Sequence, residues 1–243
     1  MLRNALALLA LFATVVSSQA APLITAPECS KSPAIDGVLS PGEWDTATTP
    51  GLFSALGGSA APVQPQVWVT YDATSLYVAA RLPLPRGANP RATLTQHDGT
   101  LWDDDAFEVF LGPGGTRGSY YQFLVNARGT QWESKGKDAA WNATWTAKAG
   151  RGDGFWCLEM AVPFAAIGVK APADGQSWAA NFAWDCQTPS AAIRSWAPLK
   201  QGLHDPANFG TIIFRSKAPA VVLSGLERAA GGVLTVDSAA TVI

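Results

Sequence analysis

The stretch LWDDDAFEVFLG, residues 101–112, decides the reading of the chain. Successive side chains on a strand point to opposite faces. From Ala106 onward, Phe107, Val109 and Leu111 share one face, assigned here to the core. Trp102, Asp104, Ala106, Glu108 and Phe110 share the other. Glu108 therefore points away from the core, on the side of Trp102. Fully extended, the chain between them would span roughly 20 Å, too far for one small ligand to touch both. Asp103, Asp104 and Asp105 supply a bend, because aspartate favours turns. Gly112-Pro113-Gly114-Gly115 ends the strand.

The same rhythm continues in both directions. Residues 66–71 and 76–82 read as strands joined by a short link, a hairpin pattern. Residues 120–125 alternate and stop at Asn126-Ala127-Arg128-Gly129. Residues 144–149 and 155–162 flank a glycine-rich turn that also contains an Arg151-Gly152-Asp153 triplet, for which turn chemistry is sufficient. Residues 177–186 and 211–214 complete the set. Pro163 to Gly168 reads as one helical turn, proline at its start and glycine at its end. Many short strands with Gly/Pro turns indicate an all-β fold, an antiparallel β-sandwich of immunoglobulin or jelly-roll type.

Composition narrows the function classes. Charged residues make up 15% of the 243 and the net charge is −2, which gives no basic surface for nucleic acid. Ten tryptophans stand against four tyrosines. An indole combines a large apolar face with one N–H donor and suits either a heavy core or a ligand platform. Arg3, the apolar run from Ala5 to Val16 and Ser18-Gln19-Ala20 read as a signal peptide over residues 1–20. The expectation is a secreted or periplasmic protein, with no membrane contact after cleavage. Export permits a disulfide, and Cys29, Cys157 and Cys186 allow at most one bridge, with the pairing left open. Residues 21–215 form the expected domain. Residues 216–243 are a tail, a linker or the start of a further module.

A series of motifs runs through the chain in order. Ile35-Asp36-Gly37 precedes Glu43-Trp44. Tyr71-Asp72 leads to Leu76-Tyr77-Val78. The strand at 102–110 is followed by Gln122-Phe123-Leu124-Val125-Asn126 and by Leu158 to Phe164. Trp178 to Phe182, Ser195-Trp196, His204-Asp205-Pro206 and Phe209-Gly210 come last. The series resembles the family 9 carbohydrate-binding modules over about residues 33–215. The resemblance implies a sugar-binding sandwich, often attached to secreted polysaccharide-degrading enzymes, whose partners are mono-, oligo- or polysaccharides and further modules of such an enzyme. It places Trp102 as a stacking platform and Glu108 as a hydroxyl partner. Asp104, Asn126 and His204 are the remaining candidate sugar-binding residues. The chain departs from the family in two places. Leu203-His204 stands where a second clamping tryptophan is expected, and Leu124 where a basic residue is expected.

Rival readings attach to the same residues. Some members of the family carry structural calcium, and Asp103 and Asp105 are the candidate ligands, although the spacing is not that of a dedicated calcium loop. No other cofactor is expected. Asp104 and Glu108 lie on one strand face and do not flank a cleft as a glycosidase pair must, so no catalytic residue is assigned. A haem-binding sandwich would need Met160 as an axial ligand, where its alternating neighbours suggest core filling. A purely structural sandwich connecting modules of a larger exported protein is the main alternative.

Overall fold

The computed structural model describes residues 21–216 and the short paired strands Leu226–Arg228 and Leu234–Val236. Residues 1–20, expected to be a signal peptide, and most of residues 217–243 lie outside the described residues. The strands of the main body are Leu23–Pro27 (β1), Ser54–Ala55 (β2), Gln66–Tyr71 (β3), Ser75–Pro83 (β4), Ala106–Gly112 (β5), Tyr121–Asn126 (β6), Gln131–Lys135 (β7), Thr146–Gly152 (β8), Phe155–Pro163 (β9), Ser177–Cys186 (β10), Ala192–Ser195 (β11) and Gly210–Arg215 (β12). One sheet runs β1-β12-β10-β5-β6-β7, with β11 added to β10 and β2 to β11. The other runs β3-β4-β9-β8. In these two sheets only β1 and β12 pair in parallel. The fold is the expected all-β sandwich, with one-turn 3-10 segments and no long helix among the described residues.

Strand period explains the core. Phe107, Val109 and Leu111 of β5, with Phe123 and Val125 of β6, point inward. Trp178, Phe182 and Trp184 of β10 join them. They meet Val67 and Val69 of β3, Leu76 and Val78 of β4, and Trp156, Leu158 and Met160 of β9. Each such side chain contributes about 1.5–3 kcal/mol by leaving water. Met160 is fully buried among these residues, so it fills the core and presents no open side to a haem. All three cysteines are free thiols.

The outer faces are covered rather than bare. On the four-stranded sheet, Glu159 accepts hydrogen bonds from the backbone of Asp36 and Gly37 and from Trp44 Nε1. One buried carboxylate thus fastens the opening Ile35-Asp36-Gly37 and Glu43-Trp44 motifs to the sheet. On the larger sheet, the outer face of β10, β5, β6 and β7 carries Asp185, Glu108, Gln122 and Trp132. Loops fold over it and bury Leu101, Leu199 and Phe209. That covered face positions the site.

Candidate functional site

The aspartates after Trp102 bend the chain, and they do so by bonding the protein itself. Leu101–Asp103 makes one 3-10 turn. Asp104 Oδ1 accepts from Thr93 N and Oγ1, while its Oδ2 accepts from Leu94 N and Asn126 Nδ2. Although burial raises its pKa, these four donors hold Asp104 below the ordinary aspartate value. Asp105 accepts the backbone N–H groups of Arg91, Gln187 and Thr188. The chain buckles between these anchors, and Trp102 swings back toward Glu108.

The result is a cavity of about 660 Å³ to which both residues contribute. Trp102 is 43% exposed and stands edge-on to the buried Trp132, with ring centroids 5.7 Å apart. Glu108 and Asp185 form the floor, with Gln122 and Ser134 beside them. Gln122 Nε2 donates to Glu108, and Ser134 Oγ donates to Gln122 Oε1. Leu203, His204 and exposed Lys137 make the opposite wall and rim. His204 Nδ1 lies 2.7 Å from the Tyr120 hydroxyl. Partial desolvation, then the charge of Lys137, holds His204 below the usual histidine value, so near neutral pH its ring is uncharged. Burial first, then the Asp185 charge, pushes Glu108 well above the glutamate range. Burial also raises Asp185.

The structure brings together three of the five candidate sugar-binding residues: Trp102, Glu108 and His204. Two expectations need correction. Asp104 does not share an open face with Glu108, because it is fully buried and its oxygens are taken by four donors. Asn126 is also fully buried. Its amide donates to Leu94 O and Asp104, and its carbonyl accepts from the backbone of Arg128 and Thr130. Both residues shape the loop beneath Trp102 and do not line the cavity. The proposed calcium ligands fit poorly. Asp105 faces three N–H donors, whose positive ends occupy the space a cation needs, while Asp103 is exposed on the 3-10 turn. A different group, His97, Asp98 and Glu133, has its ligand atoms within 4.8 Å of one another. The His97 ring lies between Asp98 and Glu133, and Glu133 also accepts from Trp145 Nε1 and Ala143 N, so this group ties β7 to its neighbouring loops.

Sequence reasoning missed Asp185, Gln122, Trp132 and Lys137. Asp185 and Gln122 lie on strands it had identified, and the alternation places each on the outer face. What it lacked was the order of the strands. β5 runs between β10 and β6, which sets Asp185 diagonally across from Glu108 and Gln122 diagonally on its other side.

Comparison with known proteins agrees with this architecture. The family model "Carbohydrate family 9 binding domain-like" matches residues 35–217. No curated protein matches the chain. Among solved structures, a protein from Bacteroides uniformis ATCC 8492, provisionally called carbohydrate-binding, is similar with a TM-score of 0.63 at 20% identity, over 81% of this chain and 100% of that one. A family 9 carbohydrate-binding module from Caldicellulosiruptor kristjanssonii, solved with cellotriose, is similar with a TM-score of 0.58 at 19% identity, over 82% of this chain and 97% of that one. The same organism's module solved with glucose gives a TM-score of 0.58 at 18% identity, over 81% and 97%. The match of the family model along most of the described chain, on a fold of this architecture, makes this protein a member of the carbohydrate family 9 binding domain-like family.

Proposed function

We propose that the chain is an exported, non-catalytic module that binds saccharide in the cavity between Trp102 and Glu108 and serves polysaccharide degradation. One observation carries this reading: an exposed indole and a buried carboxyl, six residues apart in sequence, face one cavity. A pyranose has C–H-rich faces that pack on an indole, and hydroxyl edges that need charged or amide partners. Trp102 supplies the first. Glu108, Gln122 and Asp185 supply the second, and His204 contributes a polar ring nitrogen from the wall. Membership of the family supports the reading, as do the glucose and cellotriose in the Caldicellulosiruptor kristjanssonii structures. The signal-peptide pattern supports export to the periplasm or beyond the cell. Partners are mono-, oligo- or polysaccharides and the catalytic modules of an exported enzyme.

A glycan panel with wild type and Trp102→Ala tests the proposal. Binding by wild type alone is the expected outcome. Absence of binding by both folded proteins would leave a structural sandwich as the better account.

A further inference from the structure

The floor of the cavity holds two carboxyls with no cation to neutralise them. Glu108 and Asp185 are 3% and 4% exposed, and neither joins an ion pair among the described residues. Gln122 donates to Glu108. Asp185 Oδ2 is buried and receives no N–H donor, and the hydrogen-bonding neighbour of Asp185 is the Glu108 carboxyl. The residue opposite Glu108 on β6 is Leu124, so the neighbouring strand supplies no positive charge at that position. Two carboxyls buried side by side cannot both ionise without a positive charge between them. With no ligand bound, that charge is a proton. Glu108 keeps it to well above the ordinary glutamate range, because of burial first and the Asp185 charge second.

A neutral sugar leaves this arrangement as it is. An ammonium group carries the same charge as the shared proton and brings three N–H donors to the unfilled acceptors. Charge-assisted bonds of this kind are about twice as strong as neutral ones. The indole face of Trp102 also attracts a cation held within about 6 Å. We propose that the cavity selects a sugar bearing a protonated primary amine, its ammonium seated between Glu108 and Asp185 and its ring against Trp102. The proposal rests on the saccharide reading above and names the class of sugar. Binding is balanced by release of a proton: protonated Glu108, ionised Asp185 and the ammonium become two carboxylates around one ammonium, and the Glu108 proton passes to solvent. The other ionisable groups near the floor are His204, uncharged near neutral pH, Tyr120, whose pKa burial and then the Glu108 charge raise, and Lys137, while the buried Arg194 of β11 pairs in register with Trp184, stacks over its ring on the inner face and joins no carboxylate. Lys137 lies on the exposed rim, where solvent and salt screen its charge.

The test is calorimetry on the full chain in two buffers of different ionisation enthalpy, at a mildly acidic pH where the amines of the probe are already protonated and Glu108 still holds its proton. The probes are a glucosamine trimer, its N-acetylated counterpart and cellotriose. The glucosamine trimer is expected to bind at least about tenfold more tightly than either neutral trimer, with net proton release. Asp185→Asn is expected to remove both the preference and the proton release. If that variant does not fold, the two wild-type results decide alone. Equal or tighter binding of a neutral trimer overturns the amine proposal and leaves the saccharide reading standing. Tighter amine binding without proton release also overturns it, because general surface attraction would explain that result. Binding of none of the three by folded protein overturns both.

Discussion

Glu108 and Glu159 invite comparison. Each sits inside a strand, on the outer face of its sheet, and is buried there. Burial raises the pKa of both. They differ in what surrounds the carboxyl. Glu159 receives three donors from its own chain, two backbone N–H groups and an indole N–H. Glu108 receives one amide donor and sits beside a second acid on the floor of an open cavity. A buried carboxyl that its own fold saturates is structural. One that the fold leaves short of donors is available to a ligand. Burial alone does not separate the two cases.

The sharpest attempt to break this comparison is Glu159→Ala. It strands the Trp44 indole and two backbone N–H groups, and a loss of about 3–5 kcal/mol is expected in denaturant unfolding. Trp102→Ala comes next. It should lower sugar affinity by about a hundredfold while the melting temperature falls by only a few degrees, because the indole is nearly half exposed. Equal losses of stability and affinity would mean that Trp102 is part of the packing. Glu108→Gln should raise stability by about 1 kcal/mol near neutral pH, because wild type must take up a proton at Glu108 to fold and the amide need not, while binding falls about tenfold. A loss of stability like that of Glu159→Ala would erase the distinction.

A pH titration of stability sharpens the contrast further. Glu108 has a folded pKa above its unfolded one, so the folded protein binds more protons. Its contribution is full below the ordinary glutamate value and is lost as pH rises through the raised folded value. Wild type should therefore lose stability over that interval, and Glu108→Gln should show a flatter curve. Lys137→Ala has the smallest expected effect, a change in affinity of about twofold or less, because the charge is exposed and screened.

Much of the fold was legible in the sequence, because alternation over strands such as 106–111 and 155–162 is a local signal. The strands missed at Leu23–Pro27, Ser54–Ala55, Gln131–Lys135 and Ala192–Ser195 lack it. Residues 131–135 read Gln-Trp-Glu-Ser-Lys, four polar positions around one indole, and become a strand through pairing with β6. The site divides the same way. Trp102 and Glu108 lie on one continuous stretch, and their cooperation needed only the bend that the three aspartates suggest. The function of those aspartates was not legible. Whether Asp104 faces a ligand or Thr93 depends on a loop that returns from eleven residues earlier. Asp185 was invisible as a partner for Glu108 because strand order is a property of the whole chain.

β10 changes partners partway along one side. Residues 177–180 pair with β12 and residues 183–186 with β11. Asn181 stands at the change, giving its amide to Ser195 Oγ and accepting from Ala197 N, while Trp196 N bonds Phe182 O. The segment that carries Leu203 and His204 leaves from this junction and returns to the sheet at Gly210. The cavity thus has a floor built from sheet register and a wall that carries none. Insertions between residues 200 and 202, or exchanges at the His204 side chain, shift no strand against its neighbour. Selection can rewrite this wall, and with it the choice of ligand, while the folding problem stays the same.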